Sequence, residues 1–384
     1  MSLKKKILEK IDDVYKVLDT YSRFDQKYDV FARSVWDPSL KERVSPRIEE
    51  AVKKFSNLIV RNVDGFRLKD FAFMRSGWTF AASLGFEMSN RGFLSWNSIE
   101  RKYEPTSVKI FRECVEAVKK AKNRFFKDPS YNSEIVKSVA KALGADLVGV
   151  APLDERWIYS RCYFHDTGES KEIVFENTEE PYETKNRLVI PSRVRYAIVM
   201  IVKMSEEILS HPNDAFGDGF IALGYSKCVF LAVSMAEFLR GLGFTAIPCV
   251  NDTALSIPLA VSAGLGQAGR CGLLITPEFG SAIRICKVFT DLPLKCDKPV
   301  DYGIVDYCRK CKRCAESCPV NAIPYGDRTF EPKTKSNNPG VLKWSIDPEK
   351  CVMYWRETGV TCSICIAVCP FTRNAFKKEN KYTH

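Results

Sequence analysis

Residues 308–319, Cys-Arg-Lys-Cys-Lys-Arg-Cys-Ala-Glu-Ser-Cys-Pro, decide the fold of the C-terminal part of this chain. Their spacing is Cys308-x2-Cys311-x2-Cys314-x3-Cys318-Pro319. A second set follows as Cys351 and then Cys362-x2-Cys365-x3-Cys369-Pro370, with ten residues between Cys351 and Cys362. In two-cluster ferredoxins, three cysteines of such a run bind one [4Fe–4S] cube and the fourth binds the other cube.

The two sets predict a bacterial two-[4Fe–4S] ferredoxin-like domain. Each iron takes one thiolate, so two cubes need the eight cysteines that are present. We assign one cube to Cys308, Cys311, Cys314 and Cys369. We assign the other to Cys318, Cys351, Cys362 and Cys365. Two zinc sites are the alternative, but both halves end in Cys-Pro after the same x3 spacing, which favours iron–sulfur clusters.

The overall composition is that of an ordinary globular protein. The chain has 384 residues, of which 45% are hydrophobic and 27% are charged, enough for two domains. We expect no membrane span, because no apolar run approaches about 18 residues. The N-terminus shows neither an apolar signal core nor a twin-arginine motif, so we expect a cytoplasmic protein unless a signal was removed. Whether a membrane anchor protein is a partner stays open.

The remaining cysteines and the charge limit the possible partners. Seven cysteines lie outside the cluster motifs and stand in apolar surroundings, which predicts buried thiols rather than disulfides. The formal charge is +11. Two cubes at roughly −2 each lower it to about +7. The basic residues are spread along the chain without an arginine-rich arm, so no nucleic-acid partner is favoured.

The pattern along the chain predicts an α/β protein in three parts. Ile7, Ile11, Val14 and Leu18 recur at helical spacing and predict helices over residues 1–60. An aromatic stretch follows over 66–96, either a core under loops or the lining of an apolar pocket, and residues 107–126 and 132–143 are again helical. Strands are expected at 145–150, 196–202, 244–250, 271–275 and 283–289, with a long helix over 219–240. This alternation predicts a three-layer α/β domain. The predicted divisions are 1–144, 145–300 and 301–384.

One glycine pattern matches the dinucleotide-binding fingerprint. Gly264-x-Gly266-x-x-Gly269 has the right spacing, but no acidic residue stands about 20 residues further on. Close approach of the backbone to a flat ligand or to another strand is the favoured explanation for these glycines.

Longer strings resemble the corrinoid-dependent reductive dehalogenases. They are Val250-Asn-Asp-Thr-Ala-Leu-Ser-Ile-Pro258, Ala263-Gly-Leu-Gly-Gln-Ala-Gly-Arg270, Val288-Phe-Thr-Asp-Leu-Pro293 and Asn338-Pro-Gly-Val341, together with the widened second cysteine set. The resemblance covers roughly residues 145–370. It implies a nitroreductase-like corrinoid-binding α/β domain, with cobalamin held base-off, beside the ferredoxin-like domain. The Asp-x-His-x-x-Gly loop by which other corrinoid proteins ligate cobalt is absent, because His165, His211 and His384 do not stand in it.

The resemblance also implies the site residues. Tyr225 corresponds to the proton-donating tyrosine, Asn251 to the motif asparagine, and Arg284 to the cation that stabilises the phenolate. Strand alternation independently lets Arg284 face a cavity while Ile283 and Ile285 face the core. The implied corrinoid contacts are Ser256, Ile257, Pro258, Gly264, Leu265, Gly266, Gly269, Arg270 and Gly340.

The implied function is reductive removal of halide from a small organohalide. Electrons from an external donor (a ferredoxin, flavodoxin or reductase) would pass through the two clusters to the corrinoid. An epoxyqueuosine reductase-like enzyme acting on tRNA stays open as an alternative. A plain electron-transfer protein is a further alternative, and it predicts no deep pocket.

Overall fold

The computed structural model describes residues 5–78, 114–165 and 167–379. The predicted aromatic stretch is therefore only partly covered. Phe66, Phe71, Phe73 and Trp78 are described, whereas Phe80, Phe86, Phe93 and Trp96 lie outside the described residues. The first part of the predicted 107–126 helix also lies outside them, as does His384.

Helices pack on both faces of a central sheet, and further helices precede and follow the sheet along the chain. They are α1 (Val30–Trp36), α2 (Pro38–Val60), α3 (Leu68–Gly77), α4 (Val115–Phe125), α5 (Pro129–Ala142), α6 (Ala215–Gly241), α7 (Ser256–Ser262), α8 (Ile304–Lys310), α9 (Arg313–Glu316), α10 (Pro348–Thr358), α11 (Ile364–Ala367) and α12 (Pro370–Glu379). The strands are β1 (Lys6–Ile7), β2 (Leu147–Pro152), β3 (Arg161–Tyr163), β4 (Ser170–Glu176), β5 (Tyr182–Glu183), β6 (Arg187–Pro191), β7 (Tyr196–Lys203), β8 (Ala246–Cys249), β9 (Gln267–Ala268), β10 (Leu274–Ile275), β11 (Ile283–Thr290) and β12 (Val300–Asp301).

The central sheet has the order β2-β7-β11-β8 and is antiparallel throughout. Both of its faces are buried. Ile198 and Met200 pack with α5 and α6, while Val199 and Ile201 pack with α7 on the other face. A strand buried on both faces needs a continuous apolar run, and β7 has one. The predicted three layers are therefore present.

Most predicted elements of this region are confirmed within a few residues. The strand expected at 271–275 is reduced to Leu274–Ile275, which pairs with β9. Helix α6 is longer than predicted, and by length and composition it is apolar enough to cross a membrane, contrary to the expectation from the sequence. Most of its apolar window is buried in the fold, as in the core helix of a soluble protein.

The N-terminal prediction was wrong for residues 5–29. Instead of a helix, β1 pairs antiparallel with β12, so that Lys6 lies opposite Asp301 and Ile7 opposite Val300. A short 3-10 turn at Ile11–Asp13 follows, and Ile11 packs into the main core. The helical spacing was real, but tertiary pairing outweighed local propensity. The first α-helix begins only after Asp29, whose side chain accepts a hydrogen bond from the Phe31 amide.

A second sheet was not predicted. Strands β3-β4-β6-β5 lie next to one another in this order, with β4 and β6 parallel. The strands β3 and β5 have three and two residues, too short for a clear alternation of apolar and polar residues. The division at residue 144 also separates α5 from the sheet on which it packs, so the domain limits stay a prediction.

Arg270 joins the α/β region to the cysteine-rich region. Its side chain is 1% exposed and donates hydrogen bonds to the backbone carbonyls of Cys308, Arg309, Pro324 and Gly326. The resemblance placed Arg270 among the corrinoid contacts. The structure gives it a different place, as the donor that satisfies four carbonyls between two parts of the fold.

We expect Arg270→Met to destabilise the protein strongly, because it leaves these carbonyls without their donor. Each buried group left unsatisfied costs about 1–3 kcal/mol. The midpoint of thermal unfolding at a fixed scan rate should fall by at least about 5 °C. Arg187→Met is the control, since Arg187 is 53% exposed and its carboxylate partners are 3.6 Å away. Equal midpoints in the two variants would contradict the structural role of Arg270.

Candidate active site and cluster-binding region

A large cavity lies between the α/β region and the cysteine-rich region. Its volume is about 870 Å³. Tyr225 from α6, Asn251 from the loop after β8 and Arg284 from β11 all line it. These three predicted catalytic residues come from separate parts of the chain, and the structure brings them together on one wall.

The side chains around Tyr225 hold its ring on several sides. Asn251 Nδ2 lies 3.5 Å from the Tyr225 hydroxyl oxygen. The Arg284 guanidinium carbon lies 4.7 Å from the centre of the Tyr225 ring. Trp78 stacks on the same ring at a centroid distance of 5.9 Å and an interplanar angle of 17°. The phenol therefore has an amide at its hydroxyl group and a cation at its ring.

Two glycines on α6 make this arrangement possible. A Cβ atom on Gly224 would lie 3.0 Å from Arg284 Cγ, so a larger residue would displace the arginine. A Cβ atom on Gly219 would lie 2.4 Å from the Phe73 ring on α3. Close packing of α3 on α6 brings Trp78, directly after α3, onto Tyr225.

Asp218, two helical turns before Tyr225, was not predicted as a site residue. It is 5% exposed, and Trp78 Nε1 lies 3.5 Å from its Oδ2 atom. Burial raises the pKa of Asp218, while Thr361 and Arg284 act in the opposite direction. An acidic residue near the start of the largely apolar α6 sequence is the signal that could have found it.

Lys287 on β11 was missed as well. It is fully buried, and its ammonium group donates hydrogen bonds to the Val250 carbonyl and, at 3.0 Å, to Ser256 Oγ. Burial lowers the pKa of Lys287. Asp252 Oδ1 accepts a hydrogen bond of 2.8 Å from the Val250 amide. Lys287 and Asp252 therefore fix the loop that carries Asn251. A lysine inside an apolar strand was the available signal.

The implied corrinoid contacts separate into two groups. Ser256, Ile257, Pro258 and Gly269 line the cavity. The other five are not among the residues that line it: Gly264, Leu265, Gly266, Arg270 and Gly340.

The glycines outside the lining have structural reasons of their own. Cβ atoms on Gly264 and Gly266 would lie 2.5 Å from the Lys298 carbonyl and 2.3 Å from the Ile275 carbonyl. These glycines permit close approach of neighbouring backbone, one of the two explanations favoured from the sequence. They also follow a helix and precede a strand, which is not the strand–turn–helix context of a dinucleotide site.

The first predicted cysteine set comes together near the cavity. A Cβ atom on the cavity-lining Gly269 would lie 3.7 Å from Cys308 Sγ. Burial raises the pKa of Cys314 to about 12, and the thiols of Cys308, Cys369 and Cys311 add to this effect. Cys369 thus lies with the first motif, although it is the last cysteine of the second.

The second predicted set comes together in the same way. Burial raises the pKa of Cys351 to about 12, with further contributions from Cys362 and Cys318. The pKa of Cys365 is raised by burial and by the thiols of Cys351 and Cys362. Cys318 therefore lies with the second motif.

The spacing of these thiols bears on the zinc alternative. Among the described residues, no three His, Cys, Asp or Glu side chains converge closely enough to hold a single metal ion. Zinc–sulfur bonds of about 2.3 Å require ligand sulfurs within about 4 Å of one another. A cube instead takes one thiolate on each of its four irons, so eight cysteines suit two cubes.

The other cysteines and histidines follow the sequence prediction in part. The seven cysteines outside the cluster motifs form no disulfide in the described part of the chain; Cys162, Cys228, Cys249, Cys271 and Cys286 are buried, whereas Cys296 is half-buried and Cys114 is exposed. His165 is half-buried in a loop and lines the cavity. His211 pairs with Asp214 at 2.7 Å.

Comparison with known proteins gives three kinds of match. The family model of a 4Fe-4S double cluster binding domain matches residues 307–372. The tetrachloroethene reductive dehalogenase of Sulfurospirillum multivorans is 35% identical over 363 residues, covering 88% of this chain and 70% of that protein. The enzyme of the same name from Desulfitobacterium hafniense is 37% identical over 286 residues, which cover 67% of this chain and 51% of that protein. An epoxyqueuosine reductase of Cyclobacterium marinum is 27% identical over 265 residues, covering 65% and 81%.

Solved structures agree with this match. A reductive dehalogenase whose structure suggested a mechanism for B12-dependent dehalogenation has a TM-score of 0.54 and 26% identity, covering 68% of this chain and 35% of its own. A catabolic reductive dehalogenase has a TM-score of 0.63 and 22% identity, and the match covers 97% of this chain and 44% of its own. This likeness shows that the two proteins share a fold.

The chain spans 70% of the Sulfurospirillum enzyme, about half of the Desulfitobacterium enzyme, and less than half of the two solved chains. The 35% identity over most of both sequences, the double-cluster domain and the shared fold agree with one another. The chain belongs to the reductive dehalogenase family and is a reductive dehalogenase-like oxidoreductase with a [4Fe–4S] double-cluster domain.

Proposed function

We propose that this protein removes halide from a small organohalide, with electrons supplied through two [4Fe–4S] clusters and a corrinoid in the cavity. The observation that carries the proposal is the position of Tyr225, Asn251 and Arg284 on the wall of a cavity that reaches Cys308 through Gly269. A plain electron-transfer protein was expected to have no deep pocket, and this cavity contradicts that alternative.

The residues around the cavity suit a large flat cofactor. Ser256, Ile257 and Pro258 present the start of α7 to the cavity, and Gly269 leaves room on the side nearest Cys308. These four residues would hold the corrinoid, which when bound supplies the reductive cleavage of the carbon–halogen bond. The sequence lacks the Asp-x-His-x-x-Gly loop that supplies a histidine to cobalt in other corrinoid proteins, so no such histidine would take part here. Base-off binding is proposed from the family resemblance. The B12 dependence named for a solved relative supports the choice of cofactor.

The reaction fixes what the protein must deliver. An organohalide, two electrons and one proton give the reduced carbon compound and a halide ion. The Tyr225 hydroxyl group is the proton donor that we propose. Arg284 stabilises the phenolate that remains, because its positive charge lies over the ring. Asn251, whose amide reaches the hydroxyl, orients the phenol towards the cavity.

The two sets of neighbouring cysteines indicate which residues would bind each cluster. We propose that Cys308, Cys311, Cys314 and Cys369 hold one cube, and that Cys318, Cys351, Cys362 and Cys365 hold the other. Cys318 and Cys369 each cross to the partner motif. The proximity of the thiols supports this assignment.

Metal analysis tests the cofactor content. Fully loaded protein should contain about eight irons and one cobalt per chain, because eight thiolates serve two cubes. Inductively coupled plasma mass spectrometry on protein reconstituted with iron, sulfide and cobalamin provides the measurement. Two zincs and no iron would refute the cluster assignment, and full iron without cobalt would refute the corrinoid.

Replacing Tyr225 tests the proton donor. Tyr225→Phe removes the hydroxyl group and keeps the ring between Trp78 and Arg284, so cofactors should load normally. General acid catalysis contributes about 10²–10⁴-fold, so halide release should fall by at least about a hundredfold. Tyr131→Phe, at a tyrosine that is 49% exposed, is the matched control. Wild-type turnover in Tyr225→Phe would show that another group donates the proton.

Replacing Arg284 separates charge from geometry. Arg284→Lys keeps the positive charge but loses the planar guanidinium that stacks on the ring. We expect halide release to fall nearly as far as in Tyr225→Phe, while iron and cobalt contents stay unchanged. Activity near that of the wild type would mean that a point charge alone suffices, and the stacking role would be wrong.

A further inference from the structure

We propose that the solvent-exposed loop of the first cysteine motif is the docking face for a small acidic electron-carrier protein of the ferredoxin class. This cationic face consists of Arg309, Lys310, Lys312 and Arg313, which alternate with the thiols on either side of Cys311. The proposal rests on the proposed function in taking the first cube as the point where electrons enter. Because Cys308 of that cube also approaches the cavity, the second cube would exchange electrons with the first one instead of preceding it.

The cationic face is free to meet a partner. All four basic side chains are exposed, and Cys311 between them is half-buried, so the first cube lies close to this surface. Arg309 contacts Asp306 at 2.9 Å and Asp327 at 3.5 Å. Within the described part of the chain, no carboxylate pairs with Lys310, Lys312 or Arg313.

A cluster carries negative charge, which nearby cations could neutralise. The second motif indicates that a cluster does not need such cations. Its residues between Cys362 and Cys369 carry no charge. Ser363 is buried and donates a backbone hydrogen bond of 2.7 Å to the Pro212 carbonyl, while Ile366 and Ala367 pack inside the protein. Four cysteines are assigned to each cube, yet only the first motif carries exposed cations between its cysteines. A role at the surface accounts for this difference.

Helix electrostatics explain only half of the cationic face. Arg309 and Lys310 lie in the last turn of α8, where the helix dipole favours cations. Lys312 and Arg313 border α9, a single turn of four residues whose first and last turns coincide, so its dipole does not favour cations there. Helix electrostatics therefore do not account for these two exposed cations, which favours a binding role.

Charge complementarity determines the class of partner. An exposed cationic surface steers an acidic protein towards itself and raises the association rate, and salt weakens this effect. A ferredoxin with an acidic face would place its own cluster near Cys311. Because each carrier delivers one electron and each halide released needs two, two docking events are required per turnover.

Stopped-flow reduction of the protein's clusters tests the proposal without relying on dehalogenation. The probe is an acidic [2Fe–2S] ferredoxin, reduced beforehand and mixed with fully loaded protein. The face variant is Lys310→Glu/Lys312→Glu/Arg313→Glu. The charge-matched control is Lys41→Glu/Lys53→Glu/Lys54→Glu, at exposed lysines on α2. At low salt, the second-order rate constant of the face variant should fall at least about tenfold below that of the control.

Two further measurements identify the cause. At about 0.5 M salt the rates of the two variants should converge, because screening removes the steering. Reduction by methyl viologen radical, a small cationic donor, should be no slower in the face variant than in the control. The neutral variant Lys310→Gln/Lys312→Gln/Arg313→Gln should be intermediate and serves as the test if the glutamates impair cluster loading.

Equal rates with the acidic ferredoxin in the face variant and the control would overturn the proposal. So would an equal loss with methyl viologen, which would indicate damage to the cube rather than to docking. Protein that is reduced normally by the ferredoxin but releases no halide would contradict the proposed function and leave the docking face intact.

Discussion

The close packing of α6 on β11 is the constraint on which the site depends. Gly224 leaves room for the Arg284 side chain, and the next residue, Tyr225, then lies under the guanidinium. The same strand carries Lys287, whose buried ammonium group holds the loop of Asn251. One strand thus positions both groups that contact the phenol, directly through Arg284 and indirectly through the anchored loop. Any change in the α6–β11 distance would move all three residues together.

The segment from Gly269 to Arg270 couples this site to the clusters. Gly269 borders the cavity and approaches Cys308, while Arg270 ties the backbone around Cys308 to the α/β region. The two cysteine motifs are alike in spacing but unlike in surroundings. The stretch between Cys362 and Cys369 is uncharged and partly buried, whereas the first motif carries exposed cations between its cysteines. We propose that electrons enter at the exposed cations of the first motif. The segment from Gly269 to Arg270 then fixes the distance from Cys308 to the cavity.

Much of this could be predicted from the sequence because the signals were local or unusually specific. Cysteine spacing predicted how the thiols group, the unbroken apolar run over 196–202 predicted β7, and the mainly apolar stretch over 283–289 predicted β11. The errors came where tertiary contacts decide the structure. Residues 5–29 have helical spacing but are held by pairing with β12 and by packing of Ile11. Gly264 and Gly266 belong to recognisable strings, yet they serve neighbouring backbone. Trp78, Asp218 and Lys287 become site residues only through packing that no spacing records.

A single-turnover experiment tests directly whether this protein releases halide by means of a bound corrinoid. Protein loaded with clusters and cobalamin, and fully reduced, is mixed with excess organohalide from a chlorinated and brominated panel, and released halide is measured by ion chromatography. We predict prompt halide release from at least one compound, in proportion to the cobalt content. We predict none from the same protein loaded with clusters but without cobalamin. Equal release with and without cobalamin, or none from any compound by protein with full iron and cobalt, would contradict the proposed function.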